Sequence, residues 1–238
     1  SAIERSITLN LEAKRVEVEL PFVKDPVEHL KARHNGENSN FRQASRIFKS
    51  NCNKSKEARE CLIRVHQELI DRKFMCKLED LPAEHQDIIK KAPFKHYMPW
   101  NCVQKPDSTS TPYRMTADAS ITGLNEILAK GVNNLTIIPE MLMRNRTKKL
   151  IFASDISKLY NQLHLKPSAL PYGLFLFNDG LDASKPADTY VMLVAWYGVT
   201  STGNQAAAAL DMLTKSLESE FPLARDVIKK DVYVDDTL

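Results

Sequence analysis

The sequence has few cysteines, no long apolar run and little net charge. Its four cysteines show no Cys-x-x-Cys pair and no histidine at zinc-finger spacing, which favours reduced thiols over disulfides or a zinc site. No stretch approaches the roughly 18 consecutive apolar residues of a membrane span, and the first residues form no signal-peptide core. With 238 residues, 43% of them hydrophobic, the chain can form one large or two small domains. We expect a soluble, intracellular, cytoplasmic protein with no membrane partner.

The charges are nearly balanced in number but unevenly distributed. The formal net charge of +3 is too small to indicate a partner by itself. Residues 42 to 105 nevertheless carry 14 Lys and Arg against 8 Asp and Glu, while the remainder is slightly acidic. This stretch predicts either a surface that faces phosphates or ordinary charges on solvated helix faces.

Two widely separated motifs place carboxylates after β-forming residues. The apolar run Leu150–Phe152 leads to Asp155, and Tyr233-Val234 leads into Asp235 and Asp236. Three carboxylates from two strand ends can hold two Mg²⁺ ions, because hard cations take oxygen ligands. Two such ions about 3.5–4 Å apart would suit phosphoryl transfer. Aspartate is also common in turns and helix N-caps, so a structural role for each motif stays an alternative.

Hydrophobic periodicity predicts a mixture of strands and helices. A polar tip at residues 105–112 separates the two strands of a predicted hairpin, and Lys105 and Arg114 flank it. These cations could close over a triphosphate, or they could be ordinary surface charges. The predicted strands are 15–20, 95–103, 113–119, 150–155, 172–177 and 190–196, and the predicted helices open near 55, 81, 125, 139 and 202.

The turn from Trp196 to Gly203 leads into the Ala-rich predicted helix. It contains Tyr197 and Gly198. Glycine lets the backbone approach a ligand closely, and a helix N-terminus suits a phosphate group. A purely structural strand-to-helix turn would have the same composition.

Taken together, the motifs resemble the reverse transcriptase region of Bel/Pao-type long-terminal-repeat retrotransposons, over nearly the whole chain. One departure is Thr202-Gly203, where the family usually has Ser-Pro. The motifs that carry the resemblance are Leu20-Pro21, Tyr97-Met98-Pro99, Lys105-Pro106-x-Ser108, Tyr113-Arg114-Met115-x-Ala117-Asp118-Ala119-Ser120, Leu124-Asn125-x-x-Leu128-x-x-Gly131, Ser154-Asp155-Ile156-x-Lys158-x-Tyr160-x-Gln162, Tyr197-Gly198 and Asp231-Val232-Tyr233-Val234-Asp235-Asp236.

The resemblance implies an α+β fold, the fingers and palm of a right-hand polymerase, with an antiparallel palm sheet packed on helices. It implies three parts: an N-terminal extension and helical fingers part at 1–95, a fingers hairpin with connecting helices at 96–150, and the palm at 151–238. The palm and fingers would interleave. The chain ends just after the Tyr-Val-Asp-Asp motif, so we expect an excised or truncated piece without a thumb.

The resemblance also implies the chemistry, which is RNA-directed DNA synthesis with two Mg²⁺ ions, or Mn²⁺ in their place. The catalytic and metal-binding residues would be Asp155, Asp235 and Asp236. An aromatic ring at Tyr160 would exclude the 2′-hydroxyl of a ribonucleotide, which argues against an RNA-synthesising polymerase; a core role for Tyr160 is the alternative. The nucleotide-binding residues would be Lys105, Arg114, Ile156, Tyr160, Tyr197 and Gly198.

The implied partners are an RNA or DNA template with its primer, deoxynucleoside triphosphates, and the rest of a polyprotein with thumb, ribonuclease H and integrase. An intact element would place the protein in virus-like particles. A rival hypothesis is a remnant that only binds nucleic acid. Intact Asp155, Asp235 and Asp236 argue against decay of the site.

Overall fold

The computed structural model describes residues 1–104, 113–131, 138–234 and 236–237. Helices dominate its first third, and two more precede the terminal aspartate motif. The α-helices are α1 (Ala2–Arg5), α2 (Pro26–His34), α3 (Glu37–Cys52), α4 (Lys56–Asp71), α5 (Ala83–Lys91), α6 (Ile138–Asn145), α7 (Thr202–Ser216) and α8 (Pro222–Asp231).

The strands are short, and three of their seven pairings join strands distant in sequence. Among the described residues, 3₁₀ turns occur at Leu78–Asp80, Leu124–Glu126, Leu159–Gln162 and Pro167–Tyr172. The strands are β1 (Ile7–Asn10), β2 (Arg15–Val18), β3 (Met75–Lys77), β4 (Trp100–Gln104), β5 (Tyr113–Ala117), β6 (Ser154–Asp155), β7 (Leu163–Leu165), β8 (Leu174–Phe177), β9 (Asp188–Met192), β10 (Val232–Tyr233) and β11 (Asp236–Thr237).

These strands form small sheets in a mixed α+β arrangement, as the sequence predicted. The sheets have the orders β1-β2-β7, β3-β9-β8 and β10-β11-β6, with β4-β5 as a separate hairpin. All pairs are antiparallel except β2 with β7. None of the described helices is both long and apolar enough to cross a membrane.

The largest core lies where the helical first third packs on β4 and β8. Trp100 of β4 is fully buried and donates its ring N–H to the Leu176 carbonyl oxygen at 3.0 Å. Leu62 of α4 and Phe177 of β8 are buried in the same cluster. A second cluster joins α1 and β1 to the small residues of α7, including Ala206. The second cluster also contains Leu159, so it fixes α7 beside the 3₁₀ turn that follows Asp155.

Most predicted elements are confirmed, with shifted ends. Ser55 caps α4 by accepting a hydrogen bond from the Ala58 N–H at 3.2 Å, and β4 pairs with β5 as a hairpin whose tip lies outside the described residues. The strand predicted to run to Trp196 ends as β9 at Met192, because the next residues bond elsewhere: the Ala195 N–H donates to the Leu163 carbonyl oxygen at 2.8 Å.

Two element predictions were wrong in extent. The strand predicted from Leu150 is reduced to β6, and Phe152 is 85% exposed, since no described strand pairs with the residues before Ser154. The helix predicted at 125–130 is only a 3₁₀ turn, which opens after Gly123 in a left-handed conformation. The division of the chain at residues 95 and 150 stays a prediction.

Candidate active site

The sheet β10-β11-β6 brings the two predicted carboxylate motifs together. In its register Asp236 of β11 lies between Tyr233 of β10 and Asp155 of β6, each pair being direct Cα partners. Positions paired in this way have Cβ atoms about 4.5–5.5 Å apart in antiparallel sheets. Asp155 is exposed, and Asp235 lies outside the described residues. The backbone thus places one motif against the other.

The hairpin between β10 and β11 has a two-residue turn with an unusual backbone. Tyr233 pairs with Asp236, and of the two positions between them the structure describes Val234. Val234 has φ 60°, and a positive φ is uncommon for a β-branched residue because its Cβ crowds the backbone. Glycine or asparagine normally occupies such a position. The strained conformation costs on the order of 1–3 kcal/mol and is typical of functional sites.

The donor set at this hairpin suits a hard cation. Asp155 has no ion-pair or side-chain hydrogen-bond partner among the described residues, so its oxygens are available. Within those same residues no group of three or more His, Cys, Asp or Glu is close enough to hold a metal. The predicted set needs Asp235, which lies outside them. Three-carboxylate ligation therefore stays a prediction that the backbone pairing favours.

Tyr160 lies in the 3₁₀ turn after Asp155 and contacts the turn before α7. Its ring centroid is 4.8 Å from that of Tyr197, with the planes inclined at 43°. A Cβ at Gly203 would lie 3.3 Å from the Tyr160 hydroxyl oxygen, so the absence of a side chain there leaves room for the ring. Tyr160 is half-buried, whereas Leu159 and Leu163 on either side are buried, as predicted.

Gly198 occupies a position that no other residue could take without rearrangement. Its φ is 102°, and a Cβ would lie 2.1 Å from the Ala117 carbonyl oxygen of β5. Asn125 fixes the same turn from the other side: its amide donates to the Gly198 carbonyl oxygen at 2.9 Å, and its oxygen accepts from the Thr200 N–H at 2.9 Å. The turn is therefore held against the β4-β5 hairpin.

A cleft of about 880 Å³ lies between the turn at Tyr160 and the aspartate hairpin. Tyr160, Gly203, Val232 and Val234 line it, whereas Asp155, Tyr197 and Gly198 do not. The small residues Ala207 and Ala208 of α7 also line it, which leaves the space open. The volume falls within the range of about 300–1,000 Å³ that is usual for small-molecule sites.

Two ion pairs anchor the segments that carry the aspartates. Lys158, three residues after Asp155, lies 2.7 Å from Glu68 of α4, and its hydrogen bond is the main cause that lowers the pKa of Glu68. Arg144 of α6 lies 3.2 Å from Asp231 and also donates to the Lys230 carbonyl oxygen. Both contacts hold the backbone next to β6 and β10.

The remaining predicted nucleotide-binding residues are less closely grouped. Arg114 is exposed on β5, opposite Val103, and Lys105 lies outside the described residues. Ile156 is half-buried and packs against the α1-β1-α7 core. The structure therefore brings Tyr160 together with Tyr197, next to Gly198, and pairs Asp155 with Asp236. Arg114 lies on β5, the strand against which the Gly198 turn packs.

Three residues with a part in this arrangement were not assigned a role from the sequence. Asn125 was visible only as part of the Leu-Asn motif, and nothing in the sequence linked it to the turn at Gly198. Arg144 contacts α8 across a large sequence separation. Val234 was noted as β-forming, and only the backbone reveals its positive φ.

No protein-family model matches the chain, and no curated protein matches it.

Proposed function

We propose that this chain is the fingers and palm region of an RNA-directed DNA polymerase that adds deoxynucleotides to a primer 3′ end. The observation that carries the proposal is the direct pairing of Asp155 with Asp236, the residue that follows Asp235 in the sequence. The sequence motifs alone allowed a structural role for either aspartate. Their pairing across two strands favours a shared role for both.

Mg²⁺, when bound, would polarise phosphate oxygens and stabilise negative charge on the reacting groups. Asp155, Asp235 and Asp236 are the residues that would hold it. Their carboxylates are mutually repulsive without a cation, which favours a site built to bind one. A divalent ion held by a few carboxylates together with substrate phosphates is the usual arrangement for Mg²⁺.

The cleft beside the hairpin would take the incoming nucleotide. The ring of Tyr160 lies against that of Tyr197, which limits its movement. The edge of the Tyr160 ring would therefore exclude the 2′-hydroxyl of a ribonucleotide by contact. Gly198 and the N-terminus of α7 offer backbone to a phosphate or a template. Arg114 would approach a triphosphate from β5, since a guanidinium suits bidentate phosphate contacts.

The test has two readouts. Mn²⁺ titration followed by electron paramagnetic resonance should show binding to this chain that Asp155→Asn weakens by at least about tenfold, since the variant removes a charged ligand at nearly constant volume. Primer extension on an RNA template should be lost in the same variant. Asp179→Asn is the matched control, because Asp179 is exposed in a distant turn. Equal metal binding and equal extension by the two variants would refute the proposal.

A further inference from the structure

Helix α3 presents three cations along one exposed stripe. Arg42, Arg46 and Lys49 are all exposed and follow one another at spacings of four and three residues, so they lie on the same face. The only carboxylate in α3 is Glu37, at its first residue. The stripe lies within residues 42 to 105, the basic stretch for which the sequence allowed either phosphate binding or ordinary solvated charges.

Five other helices pair some of their cations along the helix. Among the described residues, ion pairs between positions four apart are Lys56–Glu60 and Arg72–Glu68 on α4, Lys91–Asp87 on α5, Arg144–Glu140 on α6, Lys215–Asp211 on α7 and Lys230–Asp226 on α8. On α2, Arg33 pairs instead with Glu126 outside the helix. Within the part of the chain that the structure describes, Arg42, Arg46 and Lys49 form no ion pair. Like charges on one helix face repel. The stripe is therefore a surface that an external anion would stabilise.

An aromatic side chain borders the stripe. Phe41 is 42% exposed and packs edge-on against Tyr97, with ring centroids 4.9 Å apart. Asn40 anchors this corner by accepting a hydrogen bond from the Tyr97 N–H at 2.6 Å and donating to the Tyr97 carbonyl oxygen at 3.1 Å. The ring of Phe41 is thus held beside the cations while part of it faces solvent.

We infer that the α3 stripe binds the phosphate backbone of a single-stranded nucleic acid, with Phe41 as a stacking platform for a base. Cations that follow the backbone beside an aromatic ring are the usual means of binding single strands without sequence preference. The three cations span about 10 Å of the helix axis, enough for two or three phosphates. The choice of nucleic acid over other polyanions rests in part on the proposed function; the stripe itself does not depend on the aspartate hairpin.

A membrane surface fits α3 less well. The apolar face of the helix, with Ala44, Phe48 and Cys52, is buried in the protein core and has nothing to insert into lipid. An acidic peptide would satisfy the cations but would make no use of the exposed ring. Both remain outcomes of the test.

The experiment is fluorescence anisotropy of labelled oligo-U and oligo-dT, in EDTA without nucleotide. The triple variant Arg42→Gln, Arg46→Gln, Lys49→Gln should bind at least about tenfold more weakly at low salt. The slope of log K against log salt should become shallower by about 2, since each phosphate contact contributes about 0.7 for single strands. The control Lys14→Gln, Lys24→Gln, Lys90→Gln removes equal charge from other exposed positions and should change the slope much less.

The stacking part is tested by Phe41→Leu, which keeps an apolar side chain but removes the ring. Affinity for oligo-U or oligo-dT should fall about fivefold or more, and affinity for duplex DNA should change little. Equal affinities of the triple variant and its control would overturn the inference. So would binding to phosphatidylserine vesicles or polyglutamate without binding to either oligonucleotide. Asp155→Asn should bind oligonucleotides normally, so loss of polymerase activity alone would leave the inference standing.

Discussion

Asp155 and Asp236 are direct partners across β6 and β11, although 80 residues lie between them in the chain. Opposed like charges destabilise a sheet. The two strands are only two residues long each, so few backbone bonds offset that repulsion. A bound cation would offset this repulsion, so the pairing is compatible with a metal-binding site.

The first prediction is that Asp155→Asn stabilises the metal-free protein. Removing one of two facing charges should raise the free energy of unfolding by about 0.2–1 kcal/mol in EDTA, and added Mg²⁺ should stabilise the variant less than the unsubstituted protein. Urea unfolding with and without Mg²⁺ measures both effects. A variant that is less stable in EDTA, with an unchanged response to Mg²⁺, would contradict the metal role.

The second prediction separates backbone strain from crowding at Gly198. Gly198 and Gly36 have nearly equal φ values, 102° and 105°, but a Cβ at Gly198 meets the Ala117 carbonyl oxygen, whereas a Cβ at Gly36 meets nothing within 4 Å. Alanine at either position should cost about 1–2 kcal/mol in strain. Gly198→Ala should cost a further 1–3 kcal/mol or so, because main chain must move.

Chemical denaturation of both alanine variants gives the difference directly. Gly198→Ala should also impair nucleotide incorporation, since it displaces the turn that contacts Tyr160. Equal destabilisation of the two variants would show that β5 can move aside, and that the turn is not held as tightly as its contacts indicate.

The third prediction concerns stability at low pH. Burial lowers the pKa of His66 to about 4, and the positive charge of Lys77 lowers it further. Burial also lowers the pKa of His96 to about 4, although its hydrogen bond with the Tyr172 carbonyl oxygen acts in the opposite direction. Unfolding releases both rings to water, where their pKa is about 6.5. Between these values the unfolded chain binds more protons, so stability is complete above about pH 6.5 and falls as the pH drops towards 4.

Each histidine should account for about 3 kcal/mol over that interval. His66→Phe preserves the stacking on Phe177, whose ring centroid lies 3.6 Å away, and it removes the titrating group. The slope of unfolding free energy against pH gives the number of protons taken up on unfolding. Between pH 4 and 6.5 this number should therefore be smaller by about one in the variant. An unchanged slope would mean that His66 is not the group being protonated.

The sequence predicted the elements with strong local signals and missed those fixed by distant contacts. Ser55 and the apolar residues that recur along α4, among them Ala58, Cys61 and Leu62, identified that helix, because a cap and a 3.6-residue period are local features. The short strands β3 and β7 have no such pattern, and their partners β9 and β2 lie far away in the chain. The same limit applies to the overextended strand at Leu150, where apolar composition indicated a strand that lacks a described partner.

The candidate site shows the same division. Residue types and order pointed to Asp155, Asp235 and Asp236, and the structure makes Asp155 and Asp236 direct partners, while the catalytic role of all three stays a prediction. The ion pairs that hold the neighbouring backbone could not be predicted. Lys158 pairs with Glu68, and Arg144 pairs with Asp231, and both pairs join elements far apart in sequence. A single sequence holds no information about which of many charges will meet.

The last prediction is that Tyr160 sets the choice of sugar. Its ring is half-buried, lines the cleft and lies against Tyr197. Tyr160→Ala should admit ribonucleotides, raising their incorporation relative to deoxynucleotides by at least about tenfold, because a steric barrier is removed. Partial burial limits the stability cost to about 1–2 kcal/mol, below that of a fully buried aromatic. Tyr160→Phe keeps the ring and is the control; its sugar ratio should stay unchanged. If Tyr160→Ala folds, remains active and keeps the original ratio, the ring is a packing residue and the cleft selects nucleotides by other means.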